Sequence, residues 1–257
     1  LLLPGTMQVL ERGWLSSNSI VFDEGSAVAI VDTGYVSHAP MLVQLVEQLR
    51  RGRPLARIVN THLHSDHYLE LGPLLHTAWC AGLRTPVQVW GPPGLDLYWQ
   101  GFLDSMAFAI ATRIEDEGRP DLRALVTIHD TTLDAPMAFG ALTVTAIRTI
   151  HPPLTGSFAY RFEAAGKTVV FSGDTARLPA LESFAANADL LIHEAMLAPA
   201  LPALMARIGN GDDRLMHHWL RAHTTAEDAA KTAAAAGVRA LALHHLIPSD
   251  DPAFTET

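Results

Sequence analysis

Thr61-His62-Leu63-His64-Ser65-Asp66-His67 is the stretch from which the rest of this chain is read. Three histidines and one aspartate fall between positions 62 and 67, directly after the β-type run Arg57-Ile58-Val59-Asn60 and before a segment with helical periodicity. Imidazole and carboxylate are the side chains that hold borderline divalent ions, and here a strand-to-helix turn gathers them. At this chain's His and Asp content the pattern H-x-H-x-D-H arises by chance in about one chain of five hundred. A polar turn with surface histidines is the plain alternative; the density of ligands favours half of a binuclear metal site.

Outward from this stretch, apolar strands keep ending on residues of the same kind. Leu142 to Ile147 leads to His151, Thr168 to Phe171 to Asp174, Asp189 to Ile192 to His193-Glu194, and Ala240 to Leu243 to His244-His245. Burying so many ionisable groups independently would be costly, so their recurrence at strand ends argues for one shared site. Zinc suits such donors first, with iron or manganese as substitutes. His62 and His64 can face one ion, and Asp66 and His67 a second. Asp174 is the natural carboxylate to bridge them, with His151 completing the first ion and His245 the second.

The remaining pattern alternates strand and helix. Ser19 to Phe22 and Ala27 to Val31 read as a hairpin around Asp23-Glu24-Gly25, and residues 40–50 carry apolar side chains at helical spacing. Further helix-like runs cover 69–83 and 95–114; strands are predicted at 87–90, 125–128, 142–147, 158–162 and 168–171. An alanine-rich helix from Thr224 ends at Gly237. The stripe of Tyr98, Trp99, Phe102, Met106 and Phe108 reads as core, with a lid over an apolar pocket as its rival. No repeat or composition break divides the chain, so residues 1–257 are expected to form a single domain.

The composition limits the partners. A formal net charge of −9 is a poor start for neutralising many phosphates, so a large nucleic acid partner is disfavoured and a small-molecule substrate expected. Cys80 is the only cysteine, which rules out an internal disulfide and a thiolate-rich zinc site, and it reads as a small core residue. No run has transmembrane length, and Leu1-Leu2-Leu3-Pro4-Gly5 lacks the charged region of a signal peptide. A cytoplasmic enzyme off the membrane is the expectation, with export by a missing leader left open and a homodimer allowed.

With these residues together, the chain resembles the metallo-β-lactamase superfamily, whose H-x-H-x-D-H motif matches His62 to His67 and whose later ligand positions match His151, Asp174 and His245. The resemblance implies an α/β fold, the αββα sandwich, with two mixed β-sheets flanked by helices. Within the superfamily, Asp189 to Ala195, Ala222 to Ala229 and Leu243 to Pro248 resemble the branch that holds ribonuclease Z and the zinc-dependent arylsulfatases. Carried over from that branch, Glu194 and His223 pair near the leaving group. Longer matches, among them Leu71 to Leu75, Gly82 to Pro86, Asp116 to Pro120 and His151-Pro152-Pro153, resemble the arylsulfatase side. A basic, Gly/Pro-rich arm of the kind ribonuclease Z uses to grip tRNA is not found.

The resemblance implies a binuclear metal-dependent hydrolase of small anionic esters, first of all sulfate esters, with two divalent ions, zinc foremost. Asp66 would orient the attacking water while holding its ion, and His223, set by Glu194, would give the leaving group its proton. Trp79, Trp90, Trp99 and Phe102 are candidates for a leaving-group wall. The same ions would serve a phosphodiesterase, a lactonase, a β-lactam hydrolase or a ribonuclease Z-like nuclease, since fold and metals do not select substrate. A metal-binding sensor without turnover is a rival from another class. A redox di-iron relative usually shows Glu where this chain has His64. His193 reads equally as support or as a catalytic group, and strand alternation sends one of His244 and His245 inward. His217 and His218 read as surface or rim residues, and His38, His76 and His129 as structural.

Overall fold

Parallel strands need apolar faces on both sides, and the runs that follow Asp23 in this chain supply them. A computed structural model describes residues 7–10, 19–33, 39–133, 135–140 and 142–248. The readings made at 1–5 and His38 lie outside the described residues. The described chain falls into two compact units, one up to Thr131 and one from Thr132.

The first unit is built on a six-stranded mixed sheet. Strands β1 (Met7–Leu10), β2 (Ser19–Asp23) and β3 (Val28–Val31) pair antiparallel in turn, and β3, β4 (Leu55–Val59), β5 (Val87–Gly91) and β6 (Val126–Asp130) then run parallel. Ile30, Ile58, Val87 and Val89 are fully buried, as doubly covered strands require. The parallel steps are crossed by α1 (Ala39–Arg50), α3 (Leu71–Cys80), α4 (Leu95–Ser105) and α5 (Ala107–Glu117), with the single turns α2 (Ser65–Tyr68) and α6 (Leu122–Leu125) at strand ends. Helix α3 lies so close to α4 that a Cβ on Gly72 would meet the Phe102 ring at 2.4 Å, so only glycine fits there.

The run 95–114, read as one helix, is two, with Met106 at φ −100°, ψ 6° between them. Leu95, Trp99, Leu103 and Ile110 enter the core while Leu97 and Phe108 stand in solvent. The predicted stripe is therefore core on one face only. Trp79 is fully buried and donates its indole N–H to the Pro120 carbonyl at 2.8 Å, and Trp90 stacks on His129. These side chains belong to the packing of this unit, and the leaving-group wall drawn from them is withdrawn. Cys80 is half-buried on α3 with its sulfur 3.9 Å from His76.

The second unit carries the other mixed sheet. Strands β7 (Met137–Phe139), β8 (Leu142–Arg148), β9 (Phe158–Ala164) and β10 (Lys167–Phe171) are antiparallel, and β11 (Leu190–Met196) and β12 (Leu241–Ile247) continue the sheet in parallel. Helices α7 (Pro179–Phe184) and α10 (Ala226–Ala236) pack on each other and α10 on β11. Ala185, Ala188, Ala233 and Ala236 line that contact, and their small size permits the close approach. Thr225 caps α10 by accepting from the Asp228 N–H, and Gly237 ends it at φ 63°. Between β11 and α10 lies a helical pair that the pattern did not announce, α8 (Leu201–Ile208) and α9 (Arg214–Ala222). It is anchored by Leu201, Leu204 and Trp219 against Met196. Among the described residues no helix is long and apolar enough to cross a membrane.

Candidate metal and acid/base site

In the first unit the ligand stretch leaves β4 at Val59 and is fixed by a residue almost thirty positions upstream. Asp32, buried at the end of β3 with φ 52°, accepts from the Thr61 N–H at 2.8 Å and from the Thr61 hydroxyl at 2.9 Å. Its second oxygen also receives the Nδ1–H of His67 at 2.9 Å. Because the Thr61 proton is spent on Asp32, the Thr61 oxygen is left to accept from Nδ1–H of His62, 3.0 Å away. One carboxylate thereby sets the tautomer of two imidazoles, and each presents Nε2 as a lone pair, the form a metal ligand takes. Asn60 and Thr33 fasten the turn through the carbonyl of His67. His62 and His67 are fully buried, and the His64 ring lies 5.0 Å from that of His62. The side chain of Asp66 lies outside the described residues.

Asp32 is not among the residues that the sequence singles out. The signal was an acidic residue directly after a fully apolar strand, where an unpartnered carboxylate would be costly.

In the second unit the ligand-type residues come from separate strands and from the end of helix α9, joined by short hydrogen bonds. The Thr149 and Ser157 hydroxyls both donate to the Asp174 carbonyl, and the Ile150 N–H meets the Thr175 hydroxyl at 3.1 Å. Thr224 Oγ1 donates to the Thr175 carbonyl at 2.6 Å, and the Met196 N–H donates to the Thr224 carbonyl at 2.8 Å. These bonds hold His151, Asp174, Glu194 and His223 in one cluster although they lie far apart in sequence.

His151 donates Nδ1–H to the Ala222 carbonyl at 2.9 Å, and its Nε2 is 3.9 Å from Asp174 Oδ2. His245 Nε2 is 3.4 Å from the same oxygen. Donors sharing one tetrahedral ion with bonds of the usual length stand roughly 3.3 Å apart, so this spacing suits metal ligation. Burial pushes the His151 pKa down to about 4 against the pull of Asp174, which keeps the ring in the neutral, ligating form.

His245 reaches Asp174 through an irregularity. Glu194 pairs with His244 and Ala195 with Leu246, so His245 is the extra residue of a β-bulge, at φ 45°. The alternation argument, which allowed one inward histidine of the pair, fails for this reason: His244 is also buried, 6.5 Å from the Phe171 ring. His193 is buried and bonds the Glu194 carbonyl through Nδ1 at 2.7 Å, a supporting position in the strand.

Glu194 and His223, far apart in sequence, are hydrogen-bonded to each other. Glu194 Oε2 receives Nδ1–H of His223 at 2.7 Å, and Glu194 Oε1 accepts from the Thr175 N–H. Burial first, and Asp174 next, hold the Glu194 carboxyl well above the usual carboxylate range. The Glu194 and His223 pair therefore retains a proton readily, and His223 presents Nε2 beside His151, ring centroids 4.9 Å apart. Donor atoms of Glu194, His223 and His245 lie within 4.8 Å of one another, as do those of His151, His218 and His223. His218 is thus part of the cluster, whereas its neighbour His217 is exposed. Each unit carries a His/Asp set chemically compatible with divalent metal.

The metallo-beta-lactamase superfamily model matches residues 12–230. Ribonuclease Z of Mycobacterium sp. (strain KMS) is 32% identical over 202 residues, 77% of this chain and 68% of the relative. Ribonuclease Z of Mycobacterium bovis (strain BCG / Pasteur 1173P2) is 29% identical over 206 residues, 79% of this chain and 71% of the relative. Among solved structures, human tRNase Z, short form, superposes with a TM-score of 0.64 at 20% identity, covering 93% of this chain and 92% of that one. The metallo-beta-lactamase fold protein YhfI from Bacillus subtilis gives 0.59 at 22% identity, covering 90% and 79%. At those identities the structural likeness speaks for the fold.

These relatives correct the expectation of a small-molecule partner with nucleic acid disfavoured, since the sequence relatives bear the name of an RNA-cutting enzyme. The physical error was to use the net charge of −9 as if it described the substrate face; a sum over the chain does not say where its charges sit. The preference for an arylsulfatase finds no support among them. The chain belongs to the metallo-β-lactamase superfamily of metal-dependent hydrolases, in the branch that holds ribonuclease Z, and has that superfamily's α/β fold of two mixed β-sheets flanked by helices.

Proposed function

We propose that this chain is a ribonuclease Z-like nuclease that hydrolyses a phosphodiester bond of RNA, with tRNA as the first substrate to try. The observation that carries the reading is the buried Glu194 and His223 pair, 2.7 Å apart beside metal-type donors, in a chain whose relatives are named ribonuclease Z. An alkoxide is a poor leaving group, and a positioned acid is what its departure needs.

The two ligand sets are proposed to serve one binuclear centre. His62, His64 and His151 would hold one ion, Asp66, His67 and His245 the other, with Asp174 shared. Bound there, divalent ions, zinc foremost, would lower the pKa of water and neutralise charge on the phosphate oxygens. The chain's own residues do the rest. Asp66 orients the attacking water; Asp32 keeps His62 and His67 in the ligating tautomer. As the water oxygen, one of its protons given up to solvent, bonds to phosphorus and the bond to the leaving oxygen breaks, His223 passes its Nε2 proton to that oxygen. Glu194 holds the opposite ring nitrogen and balances the charge of the protonated ring.

The test is a substrate panel on protein stripped with chelator and reloaded with zinc. A tRNA transcript with extra nucleotides at both ends should be cut at a defined position and far more efficiently than 4-nitrophenyl sulfate. A protein that turns over the sulfate ester and leaves the transcript intact refutes the nuclease reading.

A further inference from the structure

The cations of the second unit fall into two groups. Arg161, Lys167, Arg177, Arg214, Lys231 and Arg239 each bond a carboxylate, as a chain with 27 acidic against 18 basic residues readily allows. Arg148 and Arg221 are exposed and bond no carboxylate among the described residues. Both stand next to members of the cluster: Arg148 closes β8 three residues before His151, and Arg221 lies in the last turn of α9 two residues before His223. Trp219 is buried beneath α9, and Arg221, two residues or about 200° further round the helix, lies on the opposite side. Ala222, the next residue, gives its carbonyl to His151, so the backbone that carries Arg221 is bonded into the cluster. The Arg148 guanidinium carbon lies 5.7 Å from the centroid of the Phe158 ring, a contact with an apolar neighbour and not with an acid.

An arginine fork without an acid to hold is the group that takes a phosphate through two parallel hydrogen bonds. Two such forks on separate elements beside one cluster suit a ligand that carries a phosphate at every step of its chain. We propose that Arg148 and Arg221 bind backbone phosphates of the RNA strand next to the scissile one, and so supply locally the positive charge that a chain of net charge −9 lacks as a whole. The inference rests on the nuclease reading.

The experiment uses the zinc-loaded protein and the flanked tRNA transcript, and follows kcat/KM over a series of salt concentrations. Each phosphate contact releases counterions, and so steepens the fall of log kcat/KM with log salt by about 0.7–0.9. Arg148→Ala and Arg221→Ala should each flatten the wild-type slope by that amount, and the double variant by twice as much, with the loss appearing in KM. Arg148→Lys and Arg221→Lys keep the charge and should keep the slope. With bis(4-nitrophenyl) phosphate, which has no neighbouring phosphate, the slope should be the same in every protein. Each slope is internal to one protein, so a general loss of activity or stability does not imitate the result.

Wild-type slopes in both Ala variants overturn the proposal and leave the nuclease reading standing; Arg221 would then serve only the C-terminal dipole of α9. A slope that flattens equally for the transcript and for the nitrophenyl ester also overturns it, because the charges would then act at the cleavage centre and not on the strand. Absence of any transcript cleavage by the wild type removes both the reading and the inference built on it.

Discussion

His62 and His67 lie in one turn and take their orientation from a single carboxylate, Asp32, which receives three hydrogen bonds. His151 and Asp174 follow strands, Glu194 and His245 lie within β11 and β12, and His223 caps helix α9; a chain of threonine and serine hydroxyls bonded to backbone holds them. The first set offers ligands alone. The second combines ligand-type donors with the proposed acid/base pair, and shares elements between the two: Ala222, whose carbonyl fixes His151, is the residue before His223. Damage to the first unit should therefore appear as weakened metal binding, and damage to the second can separate metal binding from proton transfer.

The sharpest way to break this contrast is Asp174→Ala. The carboxylate faces both His151 and His245, so its loss should lower turnover by on the order of a thousandfold or more and reduce bound metal measured by mass spectrometry. Retained metal with modest loss of turnover would show that Asp174 is not shared between the ligands.

Next in size is His223→Ala. Turnover of esters with poor leaving groups should fall by about a hundred- to ten-thousandfold, with bound metal unchanged and with much smaller losses on nitrophenyl phosphates. Equal losses on both substrate types would remove His223 from the acid role.

In the first unit Asp32→Ala should act through the metal. Affinity for zinc should weaken by about ten- to a hundredfold, and saturating zinc should restore most of the turnover. A defect that zinc does not repair would mean that Asp32 does more than orient imidazoles.

The smallest effect is expected for Thr224→Val, which removes the hydroxyl bonded to the Thr175 carbonyl. The cost should be about 1–2 kcal/mol of stability, read by denaturant unfolding, with metal content preserved.

The same contrast explains what the sequence disclosed. The cluster from His62 to His67 is dense enough to be recognised from spacing, and the strands that deliver His151, Asp174, Glu194 and His245 follow from their apolar runs. Asp32 escaped because its partner Thr61 lies far along the chain, and no periodicity relates a strand end to the turn after the next parallel strand. The bulge at His245 escaped because alternation is a rule for regular strands, and nothing in Leu243-His244-His245-Leu246 marks the extra residue. His218 was set aside with His217, yet helical geometry turns adjacent residues about 100° apart, so one reaches the cluster and the other solvent. The choice of substrate misled most, because net charge was read in place of local surface and because sulfate and phosphate esters ask much the same of two ions.

The central claim is the proposed one, that this chain cuts RNA with the help of divalent metal. Its most direct test is to strip the protein with chelator, return zinc stepwise, and follow cleavage of the flanked tRNA transcript while counting bound ions by native mass spectrometry. The account predicts no cleavage in the stripped protein and recovery that tracks the second bound ion. Cleavage that survives complete metal removal, or a fully loaded protein that leaves the transcript whole, would contradict it.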